Sequence, residues 1–144
     1  MALVGGGGSP NVAGGGAAAG VGTSINYIGN HAYANSGVGQ AGTGGDFVAL
    51  NFTSAANSYI MADLFITYDA DDLADGNQFG YKIEADGERI FFTRREANAA
   101  DQVSNPLPHR VKFIIAPQTK IVVTGINNGS SVDISFVLTG RVYA

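Results

Sequence analysis

The sequence predicts an all-β protein: an antiparallel β-sandwich of jelly-roll-like type that follows an extended glycine-rich N-terminal arm. Three observations indicate this fold class. Apolar and polar residues alternate with a period of two over much of the chain after residue 46, turn residues separate these runs at short intervals, and no run has the length and period of a long helix. About seven or eight short strands of this kind are typical of two packed sheets.

Residues 1–45 have a composition unlike that of the rest of the chain. They contain no Lys, Arg, Asp or Glu, and they hold 15 of the chain's 21 glycines. Holding a residue in one backbone conformation costs about 1–2 kcal/mol, and glycine lies at the upper end of that range. We therefore expect this segment to be ordered only where neighbouring subunits enclose it. The sequence predicts an uncharged Gly/Ala-rich arm and anchor segment over residues 1–45, and a β-sandwich domain over residues 46–144.

Apolar residues are spread through the arm, which is unusual for a flexible linker. Residues 24–37 hold two tyrosines and a histidine between Asn-containing bends, which predicts a short strand, a turn and aromatic anchors, whereas residues 38–45 are predicted as a loop. A disordered tail or an added Gly-Ser linker is the alternative interpretation of residues 1–22. The residues predicted to contact neighbouring subunits are Leu3, Val4, Val12, Val21, Ile25, Tyr27, Ile28, His31 and Tyr33.

The first strands of the sandwich domain follow directly after Asp46. Residues 47–52 are apolar on both faces, as in a strand that is covered on both sides. Residues 59–68 are nearly all apolar, so a helix is the competing interpretation, but the run Phe65-Ile66-Thr67 favours a strand. The acidic stretch over residues 69–77 is predicted as a loop.

A hairpin is the clearest local signal in the sequence. Two runs, residues 79–85 and 88–95, alternate with a period of two, the second of them around Ile90 and Phe92. Asp86-Gly87 joins them, and both of these residues accept the positive φ of a type I′ turn. We therefore predict two paired strands, followed by a loop or one helical turn.

The last third of the chain predicts three more strands, over residues 110–116, 119–125 and 131–143. The final strand is apolar enough to lie inside a sheet and not at its edge. Its predicted inward face comprises Val132, Ile134, Phe136 and Leu138.

Composition excludes several classes of function. A net charge of -4 and a pI of about 4.8 argue against a nucleic-acid partner. The absence of cysteine excludes disulfides, thiolate metal sites and cysteine nucleophiles. There is no signal-peptide pattern and no apolar run of membrane-spanning length. We expect a soluble protein that is not conventionally secreted and has no membrane partner.

No catalytic, cofactor or metal site is predicted from the residues. The acidic cluster at residues 69–75 lacks the ligand spacing of a helix-flanked calcium loop, so a solvated loop is the better interpretation, with an irregular Ca²⁺ site as the alternative. His31 and His109 are far apart in the sequence and have no metal-ligand spacing.

An enzyme is the least favoured class. A glycan hydrolase needs two carboxylates that face one cleft. Asp63, Glu84 and Asp86 are the residues that could supply them, but nothing in the sequence brings them together.

Two segments carry a resemblance to a known group of proteins. Residues 26–37, N-Y-I-G-N-H-A-Y-A-N-S-G, and residues 138–143, L-T-G-R-V-Y, resemble small virion proteins of tailed bacteriophages, and residues 106–143 add to the likeness. The resemblance implies a capsid decoration or cement protein, commonly a jelly-roll trimer that bridges capsomers. It also implies the major capsid protein or another virion protein as the partner, further copies of this chain as a homo-oligomer, and a location on the capsid surface.

A binding module is the alternative within the same architecture. A tail-associated or fibre-associated module that recognises a host glycan would expose aromatic residues in loops, for which Tyr33 and Tyr59 are the candidates. Binding of this kind would survive deletion of the arm, whereas a cement function would not.

Overall fold

The computed structural model describes residues 25–41, 46–68, 78–96, 108–127 and 132–143. Over these ranges the chain forms nine β-strands and no helix, and so no helix that could cross a membrane. The strands are β1 (Asn26–Ile28), β2 (His31–Ala41), β3 (Phe47–Thr53), β4 (Tyr59–Tyr68), β5 (Gln78–Ala85), β6 (Glu88–Glu96), β7 (Arg110–Ile115), β8 (Lys120–Asn127) and β9 (Val132–Tyr143).

The strands form two antiparallel sheets. One has five strands in the order β1-β2-β9-β4-β7, and the other has four in the order β3-β8-β5-β6. Strands β2 to β9 pair as nested hairpins, β5 with β6, β4 with β7, β3 with β8 and β2 with β9. Successive pairs belong to alternate sheets, which is the connectivity of a jelly roll. The predicted fold class, an all-β antiparallel sandwich of jelly-roll-like type, is confirmed.

The core lies between the two sheets and is built by alternation along each strand. In β4 every second residue is buried, which confirms a strand and excludes the competing helix. Strand β9 lies between β2 and β4, so the prediction that the last strand is inside a sheet is also confirmed. Side chains with almost no exposed surface include Leu50, Ile60, Leu64, Tyr81, Ile83, Ile115, Val123, Ile134, Phe136 and Leu138.

The predicted hairpin of β5 and β6 is present, and its turn has the expected geometry. Asp86 and Gly87 have φ values of 50° and 87°, as a type I′ turn requires. The Asp86 carboxylate accepts a hydrogen bond from the Lys120 backbone N–H at 2.8 Å, and the Asp86 N–H donates to the Lys120 carbonyl at 2.8 Å. The turn is therefore tied to the start of β8.

A bulge in β6 sets which of its side chains face the core. Ile90 and Phe92, around which the sequence alternates, are 47% and 46% exposed, whereas Phe91 packs against the core. The register shows why: Phe91 pairs with Ile83 and Arg89 with Glu84, so Ile90 has no partner and forms a bulge. One extra residue in a strand reverses the faces of the residues on one side of it.

The sandwich begins earlier than the predicted boundary at residue 46. Residues 26–41 contribute β1 and β2, and β2 pairs along its length with β9, so the prediction of a loop is wrong for residues 38–41, while residues 42–45 lie outside the described ranges. The bend that the sequence indicates at residues 35–37 is a β-bulge within β2: Gly37 has a φ of 68°, and the Ser36 hydroxyl accepts a hydrogen bond from the Phe136 N–H at 2.8 Å. That bond replaces the one the ladder loses, so the strand continues.

Several predictions concern segments that lie outside the described residues. These are the acidic loop at residues 69–77, the loop or helical turn at residues 97–104 and the arm over residues 1–24.

Candidate assembly face

The outer surface of the five-stranded sheet arises from the same alternation that builds the core. Because the inward residues of β4 are buried, Tyr59, Met61, Asp63 and Phe65 point away from the core. The register of β4 with β9 and β7 places further outward residues beside them. We call this surface the assembly face; its large and charged side chains are Ile28, His31, Tyr33, Tyr59, Met61, Asp63, Phe65, Arg110, Lys112, Ile114, Arg141 and Tyr143. Smaller outward side chains lie among them: Asn26, Asn35, Thr67, Ser135, Val137 and Thr139.

One continuous row crosses all five strands of this face. Pairwise register joins neighbouring strands at each step, so these side chains stand side by side. From β1 to β7 the row reads Ile28, His31, Arg141, Met61 and Ile114. Three of these five side chains are apolar, and the row lies near the end of the sheet at which β2 begins and β9 ends.

The face concentrates the apolar surface that the described part of the chain exposes to water. Of the ten large hydrophobic side chains exposed there, seven lie on this face. Ile28 is 73% exposed, Ile114 67% and Met61 56%. Single exposed apolar residues are ordinary, but a contiguous patch of them marks an interaction surface.

The size of the face matches that of one side of a stable protein interface. The five strands have 3, 11, 12, 10 and 6 residues, and at about 4.8 Å between strands and about 3.3 Å per residue they cover roughly 660 Å². Each partner in a complex of standard size buries about 800 Å². The face is therefore close in size to one side of a stable interface.

Most of the charged side chains on the face are paired or stacked on rings, which lowers the free-energy cost of burying them in an interface. Arg110 donates through Nε to the Asp63 carboxylate at 2.7 Å and forms a second bond to it through Nη2, and its guanidinium lies 5.0 Å from the centre of the Phe65 ring. This pairing, with a smaller contribution from Lys112, holds the pKa of the Asp63 carboxyl below its usual value. Arg141 lies 5.6 Å from the centre of the Tyr143 ring. Paired and ring-stacked cations lose less on burial than solvated ones.

A shallow depression marks one side of the face. It has a volume of about 350 Å³ and lies between β4 and β7, lined by Met61, Asp63, Lys112 and Ile114 among others. Such a depression can accept a protruding side chain of a partner, which is the usual arrangement at the centre of an interface.

The residues predicted to make intersubunit contacts fall into three groups in the structure. Ile25 is buried in the core, and Tyr27 points inward, where its hydroxyl accepts a hydrogen bond from the Ala55 N–H at 3.0 Å. Ile28, His31 and Tyr33 lie on the assembly face. Leu3, Val4, Val12 and Val21 are outside the described residues.

Most of the exposed apolar residues of the face were not among those predicted from the sequence. Met61, Ile114 and Tyr143 come from β4, β7 and β9, which only the sheet brings together. A signal was present in β4, whose sequence is apolar on both faces. A strand that is apolar on both sides indicates that both are buried, and the core of the sandwich buries only one of them.

The carboxylates considered for catalysis are not brought together. Asp63 lies on the assembly face, whereas Glu84 lies on the outer face of the other sheet, next to Lys82, and Asp86 is in the hairpin turn. The described ranges also contain no group of three or more His, Cys, Asp or Glu placed to hold a metal ion.

Comparison of the chain with protein families, with curated protein sequences and with solved structures finds no match.

Proposed function

We propose that this protein is a non-enzymatic structural protein of a virion, a capsid decoration or cement protein that forms a homo-oligomer through the assembly face. The observation that carries this proposal is the contiguous apolar surface on the five-stranded sheet, about the size of one side of a stable interface. The jelly roll is a common fold of viral capsid domains, but fold alone assigns no function.

Further copies of the same chain are the proposed occupants of the face. A partner must cover most of a sheet surface about 24 Å wide, and another sandwich of this size is large enough to do so. A trimer is the favoured state, following the resemblance to phage virion proteins, and in a trimer the assembly face contacts a different surface of the next copy. The partner of the assembled oligomer is the major capsid protein or another virion protein, and the proposed location is the capsid surface.

The arm supplies the attachment to the shell in this proposal. Residues 1–24 carry no charge and precede β1, an edge strand of the five-stranded sheet. Fully extended, 24 residues span up to about 80 Å, which is far enough to cross onto a neighbouring subunit. Small residues allow close backbone approach, and repetition by symmetry multiplies weak contacts.

Two isoleucine substitutions test the oligomer. Ile114→Glu places a charge on the assembly face, and Ile90→Glu places the same charge at an exposed position of the other sheet. We expect Ile114→Glu to weaken association at least tenfold, about 1.4 kcal/mol, in sedimentation equilibrium, and Ile90→Glu to leave it unchanged. A wild-type protein that stays monomeric, or equal effects of the two substitutions, would contradict the proposed interface.

Shell binding is tested separately with a variant that lacks residues 1–22. We expect lower occupancy on shells in cryo-electron microscopy and lower shell stability than with the full chain. If occupancy and stability equal those of the full chain, the arm is not a cement element, whatever the oligomeric state.

A host-glycan binding module is the second candidate function. The observation that favours it is a groove with cationic and aromatic side chains on the outer face of the four-stranded sheet, away from the assembly face.

A further inference from the structure

The outer face of the four-stranded sheet carries a groove of about 340 Å³, which we call the basic groove. That volume lies at the lower end of the range of about 300–1,000 Å³ found for small-ligand sites. The residues that matter for its chemistry are Asp46, Lys82, Arg89, Phe92, Arg94 and Ile126.

Two features of the sheet build this groove. Gly80 stands between Arg94 of β6 and Ile126 of β8, so no side chain of β5 separates these two residues. A Cβ atom at Gly80 would lie 2.2 Å from the carbonyl oxygen of Thr93, a backbone atom that cannot move aside cheaply, so only glycine fits at this position.

The bulge at Ile90 is the second feature. Arg89 and Phe92 are three positions apart and would face opposite ways in a regular strand. The unpaired Ile90 brings both to the outer face, where the Arg89 guanidinium lies 5.0 Å from the centre of the Phe92 ring. The bulge at Ile90 therefore places an arginine next to an aromatic ring, and the local sequence pattern does not reveal this bulge.

The groove is cationic in a chain whose net charge is -4. Lys82, Arg89 and Arg94 line it together with a single carboxylate, Asp46. Lys82 is paired with Glu84 at 3.2 Å, but neither guanidinium forms an ion pair within the described part of the chain. Arginine forks of this kind match the geometry of carboxylate and sulfate groups.

An apolar surface lies next to these cations. Phe92 is about half exposed, and Ile126 borders the groove on the other side. A ligand that fits must therefore offer both an acidic group and an apolar ring face. A sugar ring that carries a carboxylate or sulfate has both, whereas a long polyanion is disfavoured by the negative charge of the whole protein.

We propose that the basic groove binds an acidic saccharide, an inference that rests on the second candidate function, the glycan-binding module, and names its class of ligand. Arg94 holds its carboxylate or sulfate group, and one face of its ring lies against Phe92 and Ile126. Arg89, stacked on Phe92, adds positive charge to the groove. The groove is on the opposite sheet from the assembly face, so this proposal and the assembly proposal succeed or fail independently.

The test measures binding of defined oligosaccharides to the full chain at low ionic strength by calorimetry and by amide chemical-shift mapping. The probes are a heparin-derived tetrasaccharide, which carries sulfate and carboxylate, a galacturonate tetrasaccharide, which carries carboxylate alone, and neutral maltotetraose. We expect at least one acidic probe to bind and to shift the amides of Gly80, Lys82, Phe92 and Arg94, and maltotetraose to bind at least tenfold more weakly.

A matched pair of arginine variants separates the groove from general electrostatics. Arg94→Gln and Arg95→Gln remove the same charge from adjacent positions of β6, but Arg95 pairs with the inward-facing Phe79 and lies off the groove. We expect Arg94→Gln to weaken binding of the acidic probe about tenfold and Arg95→Gln to change it less than about twofold. Unfolding midpoints confirm that both variants remain folded.

Several outcomes would overturn the proposal. These are equal loss of affinity in the two arginine variants, shifts confined to the five-stranded sheet, and no binding of either acidic probe at millimolar concentration. Inorganic sulfate that binds as tightly as the tetrasaccharides would show an anion site with no saccharide specificity. Adenosine monophosphate that binds more tightly than both acidic probes would assign the groove to nucleotides instead.

Discussion

Tyr81 is the largest of the side chains with no exposed surface, and its polar end is satisfied. Its ring packs against Phe91 and Phe136, with centroid distances of 5.5 Å and 5.7 Å, and its hydroxyl donates to the Pro108 carbonyl at 2.8 Å. Tyr81→Phe keeps the ring but leaves that carbonyl without its donor. We expect a loss of about 1–2 kcal/mol in urea unfolding at neutral pH, with Tyr59→Phe, on the exposed face, as the control.

The same tyrosine predicts how stability changes at alkaline pH. Burial raises the pKa of the Tyr81 hydroxyl, and Tyr68 adds to the rise; burial also raises the pKa of Tyr27. Above about pH 10 the unfolded chain loses these protons while the folded chain keeps them, so the free energy of unfolding falls as pH rises. Urea titrations from pH 8 to pH 11 should show this fall, and Tyr81→Phe should make it shallower. Parallel curves for the two proteins would contradict this assignment.

Gly125 has a packing role that a side chain would prevent. The Phe47 ring lies over it, so that a Cβ atom would stand 2.3 Å from Phe47 Cε1. Gly125→Ala must displace that ring, which also packs on Phe136 with a centroid distance of 6.5 Å. We expect a loss of about 1–3 kcal/mol in thermal unfolding. In a Phe47→Leu background the cost of Gly125→Ala should shrink, and an equal cost in both backgrounds would show that the ring is not its cause.

At the scale of single elements, the bulge in β2 depends on one hydroxyl. Ser36 is buried, donates to the Gly37 carbonyl at 2.7 Å and accepts from the Phe136 N–H at 2.8 Å. Ser36→Ala leaves a buried backbone donor unpaired, so we expect a loss of about 1–3 kcal/mol in chemical unfolding. Ser135→Ala, on the outward side of β9, removes a hydroxyl whose bond to Thr67 is exposed and should cost less than about 0.5 kcal/mol. If both variants lost similar free energy of unfolding, the Ser36 hydroxyl would have no special role in the bulge.

Irregular elements also explain where sequence patterns misplace side chains. Local sequence predicts three elements correctly: β4 from its run of β-branched and aromatic residues, β5 from its alternation, and the turn from Asp86-Gly87. The alternation of β6 runs across a bulge, and the small residues of β2 look like a loop. Both bulges are defined by pairing with a partner strand, which the local sequence does not contain.

For the whole molecule, the position of β2 predicts what truncation does. Deleting residues 1–24 removes no described strand, whereas deleting residues 1–45 removes β1 and β2. The longer deletion uncovers one side of β9 and the buried side chains Phe136 and Leu138. We expect the shorter variant to keep a cooperative thermal transition and the longer one to lose it, as measured by circular dichroism. A cooperative transition in the variant that lacks residues 1–45 would show that the folded domain begins at residue 46.

The two outer faces of the sandwich divide the proposed roles between them. Residues of β1, β2, β9, β4 and β7 give an apolar face suited to a copy of the same chain, and residues of β5, β6 and β8 give a cationic groove suited to an acidic ligand. Because the core separates these faces, substitutions on one should leave the function of the other intact.

The sequence by itself determined the all-β class, most of the strand positions, the type I′ hairpin and the inward face of β9, because these follow from local alternation and from turn residues. Only the tertiary structure decided that β2 belongs to the sheet, which way β6 faces, and that Ile28, Met61 and Ile114 stand in one row. Neighbours in a sheet come from distant parts of the chain, and a single bulge reverses the faces of a strand, so register and not local pattern sets both surfaces.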